Sequence, residues 1–91
     1  MSNSVWYNMQ EAAGILNLKN IGRTKLMALL RNHSILNRHN QPDASLVQEG
    51  YFAWNYKHYA GRYGKPESVI VPLASMRGID LIRDIISNNH E

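Results

Sequence analysis

The chain contains no cysteine, so neither a disulfide framework nor a thiolate metal site stabilises it, and apolar burial alone must hold the fold. The absence fits a reducing cytoplasm, the compartment expected here. Proline and glycine are scarce, at three and six residues of 91. With 44% hydrophobic and 19% charged residues, the balance excludes a disordered chain. No stretch approaches the roughly 18 apolar residues of a membrane span, and residues 1–7 lack the basic-then-apolar order of a secretory signal. A soluble, unsecreted protein with no membrane partner is expected. Ninety-one residues give room for one core, so 1–91 reads as a single domain and a two-domain enzyme is excluded.

Catalytic and metal signatures are missing as well. The acids Glu11, Asp43, Glu49, Glu67, Asp80 and Asp84 form no recognisable pair, and no G-x-S-x-G, P-loop or dinucleotide-binding glycine pattern occurs. Neither enzymatic activity nor a cofactor is expected. His33, His39, His58 and His90 include no i, i+4 pair on a helix, so no metal site is expected either.

Acidic charge is scarce in the middle of the chain. Residues 19–65 hold Lys19, Arg23, Lys25, Arg31, Arg38, Lys57, Arg62 and Lys65 against Asp43 and Glu49 only. That stretch is +6, while the flanks, Arg77 and Arg83 against Glu11, Glu67, Asp80, Asp84 and Glu91, are −3. A basic centre points to a polyanionic partner, although a solvated charged surface has the same composition.

Hydrophobic spacing supplies the elements. Met9, Ala12, Ala13 and Leu16 make an i, i+3, i+4, i+7 stripe, with Asn8 and Glu11 spaced as a capping box and an end near Asn17. Val5, Trp6 and Tyr7 before it fit either a short strand or a hydrophobic staple. A polar link at 17–20 leads to a second helix with Leu26, Leu29 and Leu30 inward. Thr24, Ala28 and Arg31 then lie on the opposite face, with Lys25 and Asn32 beside them. A polar loop follows at 38–43, and Leu46 with Val47 fits a brief helical turn.

Residues 51–59 alternate, with Phe52, Trp54 and Tyr56 on one face and Ala53, Asn55 and Lys57 on the other, and Val69, Val71 and Leu73 repeat the pattern. Phe52, Trp54 and Tyr56 read as core or sheet packing. The intervening loop at 60–67 has Gly61, Gly64 and Pro66 as turn residues and Arg62 and Lys65 near its tip, giving a long-tipped hairpin. Ile79, Ile82, Ile85 and Ile86 define a closing amphipathic helix, and residues 1–4 and 88–91 read as frayed tails.

Helix, short turn, helix, loop, hairpin, helix is the order of a small α+β winged helix-turn-helix domain with a β-hairpin wing and a C-terminal amphipathic helix. The second helix is then the recognition helix. Its first turn would bring Thr24 to a base edge or phosphate and Arg23 and Lys25 to phosphates or guanine, Ala28 permits close approach, and Arg31 lies farther along. Arg38 in the loop, Lys57 on the strand, and Arg62 and Lys65 on the wing complete the expected contact set for double-stranded DNA, with Tyr59 and Tyr63 interleaved on the wing.

Specific residues carry a family resemblance. Glu11-Ala12-Ala13, Gly22-Arg23-Thr24-Lys25-Leu26 running to Leu30-Arg31, Ile35-Leu36, a polar loop ending at Pro42, Gly50-Tyr51-Phe52 and a Gly78 opening the last helix resemble the KilAC domain of phage antirepressors, from about Val5 to Ile86. The resemblance implies binding to DNA or to a repressor protein in phage or mobile-element regulation within a bacterial cytoplasm. Arg23, Thr24, Lys25 and Arg31 would be carried over as the recognition surface.

Two departures stand out. The family's T-P-x-G-like opening is replaced by Ser75-Met76-Arg77-Gly78, and residues 71–74 read as a local insertion that leaves the end of the second wing strand open. The separate N-terminal domain usual in the family has no room here, so the chain is either a stand-alone version or an excised domain.

A homodimer would be the usual way to raise specificity from one short recognition helix. The sequence itself shows no dimer face. Two other function classes remain open: a protein-interaction module gripping a repressor through Tyr51, Tyr59 and Tyr63, and an oligomerisation domain joined through Val5, Trp6 and Tyr7.

Overall fold

The computed structural model describes residues 5–88. Its elements run β1 (Tyr7–Asn8), α1 (Met9–Leu16), α2 (Arg23–Asn32), α3 (Ala44–Gln48), β2 (Phe52–Ala60), a 3-10 turn at Arg62–Gly64, β3 (Pro66–Ala74) and α4 (Met76–Asn88). The class is α+β, with an antiparallel sheet ordered β1-β3-β2. Among the described residues no helix is long and apolar enough to cross a membrane. Of the tails read as frayed, residues 1–4 and 89–91 lie outside the described residues, whereas Asn88 is the last residue of α4.

Local chemistry fixes the first helix at both ends. Asn8 Oδ1 accepts from the Glu11 amide and Glu11 Oε1 accepts from the Asn8 amide, each at 2.8 Å. This reciprocal box contributes about 1 kcal/mol. Asn17 ends the helix in the left-handed region (φ 51°), its amide donating to the Ala13 carbonyl at 3.0 Å. Short polar Asn tolerates that geometry better than most residues. The turn from Asn17 to Gly22 uses a second left-handed asparagine, Asn20 (φ 66°), and packs half-buried Leu18 and Ile21 against the core.

The core is built from Met9, Ala12, Ala13 and Leu16 of α1, Leu26, Met27 and Leu30 of α2, Ile35 and Leu36, Phe52 and Ala74 of the sheet, and Ile79 and Ile82 of α4. On α2 the inner position expected for Leu29 goes to Met27, and Leu29 is half-buried. Full burial of Phe52 alone contributes about 2 kcal/mol.

Pairing settles three points left open by the sequence. Tyr7 and Asn8 form a strand, opposite Ala74 and Leu73, while Val5 stays 58% exposed. Residues 71–74 complete β3, which closes the question of where the second hairpin strand ends. Val71, Pro72, Leu73 and Ala74 pair in unbroken register with Asn55, Trp54, Ala53 and Phe52. Pro72 sits just past the end of β1, where β3 has a single neighbour and a missing amide is tolerated. The hairpin strands also run closer to the tip than the alternation alone indicates, to Ala60 and from Pro66.

The junction between β3 and α4 clamps the root of the hairpin. Ser75 Oγ accepts from the Gly78 amide at 3.2 Å and lies 2.7 Å from the Gly50 carbonyl oxygen, to which it donates. The Ser75 amide donates to the Tyr51 carbonyl at 3.1 Å. Arg77 Nη1 donates to the Glu49 carbonyl at 2.9 Å, and its guanidinium lies 4.6 Å from the centre of the Tyr51 ring. The Ser75-Met76-Arg77-Gly78 opening thus has a hydroxyl at the capping position and a glycine where the backbone of Tyr51 passes.

Candidate nucleic-acid interface

The start of α2 is electrostatically unusual. Gly22 precedes it in an extended conformation and supplies no capping side chain. The first amides of a helix lack intrahelical acceptors and carry the positive end of its dipole. Here the first turn holds no acid, and Arg23, Thr24 and Lys25 are exposed. Each cation at that end costs the free protein about 0.3–1 kcal/mol, and an anion bound there reverses the sign.

The expected basic residues distribute around α2 instead of sharing one face. Arg23 lines a cleft together with Lys57, Asn40, Gln10 and β3 residues from Val69 to Pro72. Lys25 and half-buried Ala28 line a shallow groove on another side, beside Ile21 and Asn32. Arg31 and Arg38 border a third groove floored by Leu36, Val47 and Trp54. Thr24 is exposed and lines none of the three.

Arg31 is directed by the loop. Its Nη1 donates to Asn40 Oδ1 at 2.7 Å, and Asn40 itself is left-handed (φ 67°). The loop is ordered by Asn37, whose Oδ1 accepts from the His39 and Gln41 amides at 2.8 and 3.0 Å. A Leu36–Pro42 bridge closes its base. This turn presents Arg38 to solvent.

Beyond Trp54 and Pro72 the hairpin leaves the core. Residues 55–60 are all exposed, a reach of about 20 Å at ~3.3 Å per residue. A ribbon with so little burial needs its own side-chain contacts. Trp54 meets Tyr56 edge-on at 5.1 Å between centroids, and Tyr56 stacks on His58 at 6.2 Å. Of the two aromatics expected in the core or sheet beside Phe52, Trp54 is half-buried and lines the groove with Leu36 and Val47, while Tyr56 keeps its sheet contact with 56% of its surface exposed.

Across the strands Tyr59 donates to Glu67 Oε1 at 2.9 Å. That hydrogen bond and the carboxylate's charge raise the phenol's pKa above its ordinary value, so Tyr59 stays a neutral donor at any physiological pH. Glu67 also lies against Gly61, where any Cβ would meet its side chain. At the tip Arg62 and Lys65 are exposed. Among the described residues the one ion pair is Arg83–Asp80 in α4, at 3.1 Å. Within that same span no carboxylate pairs with Arg23, Lys25, Arg31, Arg38, Lys57, Arg62 or Lys65, which keeps their field available to an anion.

The family model of the phage antirepressor protein KilAC domain matches residues 2–89. The chain belongs to this family. No curated protein and no solved structure matches it. The KilAC domain is a regulatory module of phage antirepressors, and here α2, the loop at Arg38 and the hairpin carry basic residues without a carboxylate partner among the described residues.

Two features of this KilAC domain have almost no signature in the sequence. Asn40 positions Arg31, and its only signal is that asparagine tolerates a positive φ in a His-Asn-Gln-Pro turn. The second is the split of the α2 cations among three grooves, which depends on which elements flank the helix and leaves no trace in its periodicity.

Proposed function

We propose that residues 1–91 act as one winged helix-turn-helix unit that binds duplex DNA in the regulation of a phage or mobile element in a bacterial cytoplasm. The first turn of α2 enters the major groove. Arg23, Thr24 and Lys25 reach base edges or phosphates, Ala28 allows close approach, and Arg31 and Arg38 follow the flanking backbone. Lys57, Arg62 and Lys65 on the hairpin take the neighbouring phosphates or minor groove.

The convergence of Arg23 from α2 and Lys57 from the hairpin on one cleft carries this reading. It gives Arg23, at the helix start, and Lys57, on the ribbon, a common basic cleft. From Lys57 to Ala60, the end of β2, the ribbon advances about 10 Å at ~3.3 Å per residue before the turn that carries Arg62, comparable to the ~12 Å width of the major groove. Cations in the cleft and at the tip can therefore serve phosphates on opposite sides of a groove.

The rival reading, a repressor gripped by Tyr51, Tyr59 and Tyr63, has less support. Tyr51 lies beneath the Arg77 guanidinium and Tyr59 is engaged with Glu67. A homodimer would place two such helices on adjacent half-sites.

Each phosphate contact contributes about 0.9 to the slope of log K against log salt. Arg62→Ala combined with Lys65→Ala is expected to flatten that slope by about two, measured by fluorescence anisotropy on a random-sequence duplex. An unchanged slope would remove the wing from the contact surface.

A further inference from the structure

Tyr63 occupies the middle of the hairpin tip and is 96% exposed. Its backbone is left-handed (φ 62°, ψ 24°), a region that disfavours a bulky side chain. Gly64 beside it is also left-handed (φ 75°). The tip is closed by the Gly61 amide donating to the Lys65 carbonyl at 2.6 Å and the Gly64 amide donating to the Gly61 carbonyl at 3.2 Å. Tyr59 and Glu67 brace the strands just below. A ring that gains nothing from burial is thus held outward, in an unfavourable conformation, between Arg62 and Lys65. Folding does not explain that arrangement, because glycine or asparagine would suit the turn better.

We propose that Tyr63 is a wedge that enters the DNA minor groove, its ring against sugars and base edges and partly between two base pairs, while Arg62 and Lys65 hold the flanking phosphates. This rests on the duplex-binding function above. The undistorted minor groove is about 6 Å wide, which suits a tip that presents a single ring. Binding then has two separable parts. The cations act through counterion release and fade with salt, whereas the ring acts through stacking and unstacking contacts that do not.

The test compares the wild type, Tyr63→Phe and Tyr63→Asn on a random-sequence duplex over a salt series, with end-to-end energy transfer reporting duplex bending. Asparagine keeps the left-handed turn accessible, so its effect isolates the ring. Tyr63→Asn is expected to bind about tenfold more weakly at every salt concentration, as for loss of one stacked aromatic, with an unchanged salt slope and less bending. Tyr63→Phe is expected to stay close to the wild type. Wild-type binding with equal affinity for Tyr63→Asn overturns the wedge and leaves the DNA-binding function standing. A loss for Tyr63→Asn that vanishes at high salt also overturns it, since the ring would then only be positioning charge. A wild type that binds no duplex overturns both.

Discussion

Gly78→Ala is expected to lower the melting temperature by about 10–20 °C, at ~4–8 °C per kcal/mol for a domain of this size. On helix propensity alone the change should stabilise, since alanine exceeds glycine by about 1 kcal/mol in a helix. Sterics decide otherwise. A Cβ on Gly78 would overlap the Tyr51 carbonyl oxygen, the same oxygen that accepts from the Ser75 amide at 3.1 Å. Relief requires α4 to move away from Tyr51, which breaks that bond and the Ser75 hydroxyl bond to Gly50 at 2.7 Å.

Overpacking of this kind costs about 1–3 kcal/mol, and each buried hydrogen bond lost adds about 1 kcal/mol. Against a total of about 5–15 kcal/mol for a domain, that is a large fraction. Gly14→Ala supplies the control. Gly14 is exposed on α1, and a methyl group there would meet nothing within 4 Å, so propensity wins and stability rises by about 1 kcal/mol. Circular dichroism melts of the two variants should therefore shift in opposite directions. A Gly78→Ala melt at or above the wild type would show that α4 does not lock the hairpin root.

The combined change Arg23→Ala, Lys25→Ala, Arg31→Ala is expected to weaken duplex binding by on the order of 10²–10³-fold near 0.1 M salt, the effect of losing three phosphate contacts. Stability should hardly change. Removing Arg23 and Lys25 relieves two cations at the positive end of α2 and raises helix propensity. Removing Arg31 gives up its bond to Asn40 at 2.7 Å and a favourable charge in the last turn. These effects are each a few tenths of a kcal/mol to about 1 kcal/mol and oppose one another. A variant that folds as well as the wild type but no longer binds would assign the first and last turns of α2 to the partner. Retained binding would remove them from the surface.

Much of the fold is legible in the sequence because it is local. The Asn8/Glu11 box, the stop at Asn17, the alternation along β2 and the isoleucine stripe of α4 are nearest-neighbour chemistry, written in spacings of two to four residues. Leu29 departs from expectation because periodicity defines a helix face only to within one side chain. Leu26, Met27 and Leu30 form an equally good stripe, and the packing of α2 against α1 selects it. The register of residues 71–74 is hidden because β1, the strand that fixes their far edge, is two residues long. Within the candidate surface, residue types are readable and relationships are not. That Arg23 lines one cleft with Lys57, that Arg31 turns to Asn40 and that Tyr51 runs under Gly78 all depend on placements spanning roughly 10–35 residues, for which spacing carries no signal.

Binding of duplex DNA by the basic surface that joins α2 to the hairpin is tested most directly by fluorescence anisotropy of the wild-type chain on a labelled random-sequence duplex, from about 50 to 200 mM salt. Five or six phosphate contacts give an expected slope of log K against log salt of about −5. Absence of binding at the lowest salt, with the circular dichroism spectrum of the folded chain intact, would contradict DNA binding and turn the search to a protein partner.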